Sequence, residues 1–115
     1  MSRFTRQILT DADTLVICVD VSNLKHRHSL MRCMQEAFEL PAYFNGGGDS
    51  LNDCLRDLGW LPQRRIHIAF TGLADLRQRD ARLFASLMES LELCRDYWQG
   101  KPQADKIVRI SFGSI

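Results

Sequence analysis

Aspartates recur at a regular interval in the middle of the chain, and carboxylates at this interval could bind cationic groups. Asp49, Asp53 and Asp57 are each four residues apart, so on a helix they share one face. Like charges at this spacing slightly destabilise a helix, and aspartate is a weak helix former, which favours a use beyond folding. A row of carboxylates can bind a cationic protein surface, or it can hold Mg²⁺.

The segment that carries these aspartates has the pattern of an amphipathic helix. We predict this helix over residues 49–58, because its apolar residues fall on the side opposite the aspartates; they are Leu51, Cys54, Leu55 and Leu58. Asn45-Gly-Gly-Gly48 comes before it and breaks any regular element. Gly59 is typical of a helix end. We therefore expect a loop followed by a helix with one buried and one acidic face.

The other elements predict an α/β fold. Apolar runs of strand length at residues 14–21, 65–70 and 106–112 predict three strands. Helical periodicity over residues 27–39 and 79–97 predicts two further helices, with a short helical piece before the second. The connections are too long for hairpins, so the strands should be parallel. The prediction is a small three-stranded parallel sheet covered by three or four helices.

Length and composition indicate one compact domain. The chain has 115 residues, of which 45% are apolar, with few glycines and prolines. This composition excludes collagen-like and disordered classes. Residues 1–13 are polar and mixed in charge, so they are predicted to be an N-terminal extension, and residues 14–115 are predicted to form the single domain.

Charge and cysteine usage say little about partners and more about the compartment. The net charge of +1 gives no bulk argument for nucleic acid or for a membrane surface. The longest apolar run, Leu15 to Val19, is far shorter than the roughly 18 residues of a spanning helix. The four cysteines form no C-x-x-C pair, which is typical of reduced, buried thiols. We expect a cytoplasmic protein that is a monomer when free, binds no nucleic acid directly and has no membrane partner.

One stretch resembles the barstar family, intracellular inhibitors of barnase-type ribonucleases. It reads Leu40-Pro41-x-Tyr43-Phe44, then Asp49-x-Leu51-x-Asp53-Cys54-Leu55, then Gly59-Trp60. The order of elements fits that fold over about residues 14–113. The resemblance implies a barstar-like fold, no catalysis and no cofactor. It also implies that the loop and the second helix enter a nuclease cleft, where helix carboxylates lie in place of substrate phosphates.

The family's binding residues carry over to Tyr43, Asp49 and Asp53. Asn52 stands where the family has a tryptophan, and Gly46 to Gly48 replace larger loop residues. These departures bear on the identity of the partner more than on the mode of binding. The expected partner is a ribonuclease or another toxin with a basic active-site cleft. It would be bound by this protein, as an antitoxin or immunity protein, through residues Tyr43, Asn52 and the three aspartates.

Each of these residues also has a simpler interpretation. Asp49 could cap the helix, Asp53 could be a solvated surface residue, and Asp57 could pair with nearby arginines. Tyr43 could pack against the first helix instead of facing a partner.

Two other classes of function stay open at this point. The first is a Mg²⁺-dependent phosphodiesterase that uses Asp49, Asp53 and Asp57, although one helical stripe supplies no second face of ligands. The second is a small nucleic-acid-binding regulator, for which the scattered arginines form no strip interleaved with aromatics. His26 and His28 are too few for a zinc site, so no metal is expected.

Overall fold

The computed structural model describes residues 3–11, 13–100 and 106–113. Within these residues a pair of helices separates each strand from the next after the first two strands. In chain order the elements are β1 (Phe4–Ile8), β2 (Thr14–Asp20), α1 (Arg27–Phe38), α2 (Gly48–Leu55), β3 (Arg65–Thr71), α3 (Leu73–Arg79), α4 (Ala81–Gln99) and β4 (Ile107–Phe112). The α/β class is confirmed, and most element bounds lie within two residues of those predicted.

The strand count in the prediction is wrong. Within the described residues the sheet has four strands in the order β1-β2-β3-β4. β2, β3 and β4 are parallel as predicted, and β1 pairs antiparallel with β2. β1 lies in the segment predicted to be an extension. The alternation of apolar and polar residues in β1 is interrupted by Arg6. Its guanidinium group donates a hydrogen bond to the Ala37 carbonyl at the end of α1 and forms an ion pair with Glu39 at 3.0 Å.

The core lies between the helices and one face of the sheet. Alternate residues of β2 and β3 point into it and are at most 2% exposed; they are Leu15, Ile17, Val19, Ile66, Ile68 and Phe70. The helices complete it with their apolar faces, including Met34 and Phe38 of α1. The short α3 then turns the chain into α4, whose N-cap Asp80 accepts a hydrogen bond from the Leu83 amide at 3.0 Å. This packing places α2 at the surface.

Candidate partner-binding surface

α2 is anchored to α4 through its buried side. Leu51, Cys54 and Leu55 are at most 1% exposed. The Leu55 carbonyl accepts hydrogen bonds from Trp98 Nε1 at 2.8 Å and from Cys94 Sγ at 3.4 Å. Carbonyls in the last turn of a helix have no partner within it, so these side chains satisfy one of them. α2 is therefore held firmly, with its opposite side facing solvent.

The loop before α2 is held by short-range hydrogen bonds. Asn45 Oδ1 accepts from the Gly47 amide at 2.8 Å, and the Asn45 amide donates to Ser50 Oγ at 3.1 Å. Gly46 has φ +85°, a conformation that residues with a side chain rarely adopt. The glycine-rich loop is thus tied to the first turn of the helix and has a defined conformation.

Gly48 lies close to the side chain of Arg27 from α1. A Cβ at this position would lie 2.9 Å from Nη2 of Arg27. The same guanidinium group donates from Nη1 to Ser86 Oγ of α4 at 3.2 Å. The guanidinium group of Arg27 therefore lies beside Gly48 at the start of α2, where it also contacts α4.

Asp49 lies in the first turn of α2 and is exposed. The alternative of a capping role is excluded by the geometry, because the N-cap is Gly47 and no side chain caps this end. Within the described residues, its carboxylate forms no hydrogen bond and no ion pair. Its negative charge is favourable near the positive end of the helix dipole, so the structure tolerates it there without a partner.

Asp53 lies one helical turn further along and has one partner from its own chain. Its side chain is 69% exposed, and its Oδ1 is 2.9 Å from Nη2 of Arg56. The Arg56 Nε also donates to the Asn52 carbonyl at 3.2 Å. An exposed pair of this kind contributes little to stability, at most about 1 kcal/mol. Asp53 is therefore accessible but partly neutralised, a contact that the i, i+3 spacing in the sequence could have indicated.

Asp57 does not continue the row of carboxylates that Asp49 and Asp53 form on α2. α2 ends at Leu55, earlier than predicted, and Leu58 turns the chain with φ +55° while being fully buried. Asp57 instead accepts hydrogen bonds from Tyr43 Oη at 2.9 Å and from the Gly59 amide at 3.1 Å. It holds Tyr43 in place, and it does not pair with an arginine.

Tyr43 is exposed and fixed at the same time. Its ring is 54% exposed and packs edge-on against Trp60, with 6.5 Å between centroids. Trp60 in turn donates from Nε1 to the Phe38 carbonyl at 2.8 Å. Desolvation of the hydroxyl and then its hydrogen bond to Asp57 raise the pKa of Tyr43. The phenol therefore stays a neutral donor at ordinary pH, and its ring projects beside α2.

Asn52 differs from its neighbours because it is half-buried. Its Oδ1 is sealed from solvent and accepts no hydrogen bond within the described part of the chain. A buried acceptor without a partner costs roughly 1–3 kcal/mol. Tyr43, Asp49, Asp53 and Asp57 are thus exposed, whereas the side chain of Asn52 is half-buried.

We call Tyr43, Asp49, Asp53 and Asp57 the α2 acidic surface. Three of its members are carboxylates, of which Asp53 forms an ion pair with Arg56. Among the described residues, no group of three or more His, Cys, Asp or Glu side chains is placed to hold a metal ion. The arrangement suits contact with an extended cationic surface, and it lacks the converging ligands that the phosphodiesterase alternative needs.

Comparison with known protein families gives a match over most of the chain. A family model described as Barstar (barnase inhibitor) matches residues 14–109, which include the loop, α2, β2, β3 and the first half of β4. No curated protein matches the chain. Of the helices that the structure describes, none has both the length and the apolar character that crossing a membrane requires.

Proposed function

The chain belongs to the barstar family of barnase inhibitors, and from this premise we propose that it blocks the active site of a ribonuclease or a related toxin. The carboxylates of α2 would stand in for substrate phosphates in a basic cleft. The protein would then act as a cytoplasmic antitoxin or immunity protein and be a monomer when free.

The observation that carries this proposal is the pair of exposed carboxylates on a firmly held helix. Asp49 and Asp53 differ by four residues, which is about 6 Å of helical rise, so they can reach two separate cationic groups. A nuclease must hold phosphates with cations, and charge-assisted hydrogen bonds from arginine to carboxylate use the same geometry as those to phosphate. The α2 acidic surface therefore presents negatively charged oxygens to a ribonuclease, as the phosphates of its substrate do.

Rigidity adds to this match. α2 is anchored at Leu55 by Trp98, and Tyr43 is held by Asp57 and Trp60. A binding surface that is ordered before contact loses less conformational entropy when it docks. Opposite charge on the partner also accelerates encounter, which matters when a toxic enzyme has to be caught quickly. A preformed acidic surface favours fast and tight inhibition.

The test is inhibition and binding with a panel of purified barnase-type ribonucleases and related toxins. We expect Asp53→Ala to weaken the complex by about 2–5 kcal/mol, mainly through faster dissociation; the barnase–barstar pair itself contributes to that range. Asp75→Ala is the matched control, because Asp75 is an exposed aspartate on α3, away from this surface. It should change affinity by less than about twofold.

Folding should be intact in both variants, since each removes an exposed side chain. Far-UV circular dichroism and urea unfolding check this directly. If Asp53→Ala binds every ribonuclease that the wild type binds with unchanged affinity, Asp53 is not part of the interface and the proposal fails. The proposal would also be contradicted if the wild type inhibited none of the enzymes in the panel.

A further inference from the structure

A groove of about 610 Å³ separates α1 from the loop before α2. Its α1 wall is one stripe of the helix, with residues at the spacing i, i+3, i+4 and i+7; these are His28, Met31, Arg32 and Gln35, next to Arg27. The opposite wall is Phe44, Asn45 and Gly46. The groove therefore lies directly beside the α2 acidic surface but belongs to different side chains.

The lining of this groove is cationic. It contains Arg27 and Arg32 and no carboxylate. In the described part of the chain, neither arginine is in an ion pair; Arg27 donates to the neutral hydroxyl of Ser86. Arg32 and His28 also line a second cavity of about 540 Å³ that extends towards β1 and includes Arg3. Glu36 also lines that second cavity and offsets part of its charge, so the uncompensated positive charge on α1 lies in the groove, at Arg27 and Arg32.

The groove also offers apolar contact. Met31 is 7% exposed and Phe44 is half-buried, so both present a small apolar area between the arginines. We propose that this groove binds an acidic peptide segment that carries one large apolar side chain. Its carboxylates would pair with Arg27 and Arg32, and its apolar side chain would pack on Met31 and Phe44.

A peptide suits the groove better than RNA. Proteins that hold single-stranded nucleic acid stack successive bases on exposed aromatic rings, and Phe44 is the single Phe, Tyr or Trp residue in this lining. The wall formed by Phe44 to Gly46 leads directly into Asp49, whose charge repels a phosphate backbone. Carboxylates spaced along a peptide can instead pair with the arginines and end before the acidic surface begins.

The position of the groove suggests where such a segment comes from. A protein that covers α2 with a basic cleft also brings the rim of that cleft over Phe44 to Gly46. An acidic segment on that rim would bind in the groove while the basic cleft binds the α2 acidic surface. These two contacts of opposite charge would fix the orientation of the partner and disfavour cationic proteins that lack the acidic segment. This last step rests on the proposed function, whereas peptide binding by the groove does not.

The test is selection from a displayed library of random 12-residue peptides on the folded wild-type protein. Enriched sequences should carry several Asp or Glu residues and a large apolar residue. Synthetic peptides with these sequences, measured by fluorescence polarisation, should bind Arg32→Glu at least tenfold more weakly. They should bind Arg77→Glu within about twofold of the wild type, because this matched charge reversal on exposed α3 lies outside the groove.

The proposal is overturned if no sequence is enriched over resin without protein, if the enriched sequences are not acidic, or if Arg32→Glu binds them as well as the wild type does. Binding of a fluorescein-labelled oligouridylate that is lost in Arg32→Glu would make the groove a nucleic-acid site and would equally overturn it. The peptide assay contains no ribonuclease. Its failure is therefore distinguishable from loss of inhibition, which Asp53→Ala tests separately.

Discussion

Removal of Arg56 is expected to strengthen binding to a ribonuclease. Arg56 is the cation that the chain itself places on Asp53, with Nη2 at 2.9 Å from Oδ1. A partner cation that takes the same carboxylate has to displace Arg56 or share Asp53 with it. Arg56→Ala leaves the carboxylate unpaired before contact and removes a like charge from the interface.

The size of the effect follows from exposure and distance. The side chains of Arg56 and Asp53 are 43% and 69% exposed, so the pair is solvent-screened and its loss should change the free energy of unfolding by less than about 1 kcal/mol. Two cations on one carboxylate lie about 6 Å apart, where their repulsion is about 0.7 kcal/mol in bulk water and about 2.8 kcal/mol at an effective dielectric constant of about 20. Because the site is largely exposed, we expect the free energy of binding to improve by an amount near the bulk-water repulsion. This corresponds to an affinity about three- to tenfold higher.

The assay is binding kinetics on an immobilised ribonuclease at low and high salt. Arg56→Ala should raise the association rate, and the gain should shrink as salt screens the charges. In an Asp53→Ala background the gain should also shrink, because the carboxylate for which Arg56 competes is gone. Arg77→Ala is the control for loss of one positive charge elsewhere. Unchanged or weaker binding of a stably folded Arg56→Ala would refute the reasoning.

Two further predictions concern the scaffold that presents the surface. Gly46→Ala should lower the free energy of unfolding by about 1–2 kcal/mol because of φ +85°, although space around the Cβ is open; an unchanged urea midpoint would contradict this. Burial raises the pKa of Cys94 from 9.0 to about 12. The unfolded chain therefore ionises this thiol first, and stability that is complete below about pH 9 is lost as the pH rises towards 12. Urea unfolding at a series of pH values should show that Cys94→Ala reduces the fall in the free energy of unfolding by up to about 1.4 kcal/mol per pH unit. The same dependence on pH in the variant and the wild type would contradict this prediction.

Most of the fold could be predicted from periodicity, and the exceptions have identifiable causes. The parallel strands and the long helices are strongly patterned, so their positions were predicted to within a few residues. β1 has a weak pattern because Arg6 occupies a position that faces α1 and Ile8 is 58% exposed. Antiparallel pairing of so polar a segment depends on tertiary contacts that the local sequence does not reveal.

The candidate surface could be predicted in part. Asp49 and Asp53 lie on the exposed side of α2 as their spacing and the family resemblance indicated. Asp57 is also exposed, but it lies beyond the end of α2, next to Leu58, which is buried and has φ +55°. Its contact with Tyr43 joins residues 14 positions apart.

The position of Arg27 between α2 and α4 could not be predicted from local pattern. Its bond to Ser86 joins residues 59 positions apart, and its approach to Gly48 exists only in the assembled fold. The groove on α1 depends on the same assembly, because its two walls come from different elements.

Competition with a substrate analogue tests most directly whether the α2 acidic surface occupies the substrate site of a ribonuclease. A ribonuclease that binds this protein would be titrated with it at increasing concentrations of a 3′-mononucleotide. We predict that the apparent Kd rises in proportion to the nucleotide concentration once the nucleotide saturates the enzyme, because the two cannot be bound together. An apparent Kd that does not change with nucleotide would place the protein outside the active site and contradict phosphate mimicry.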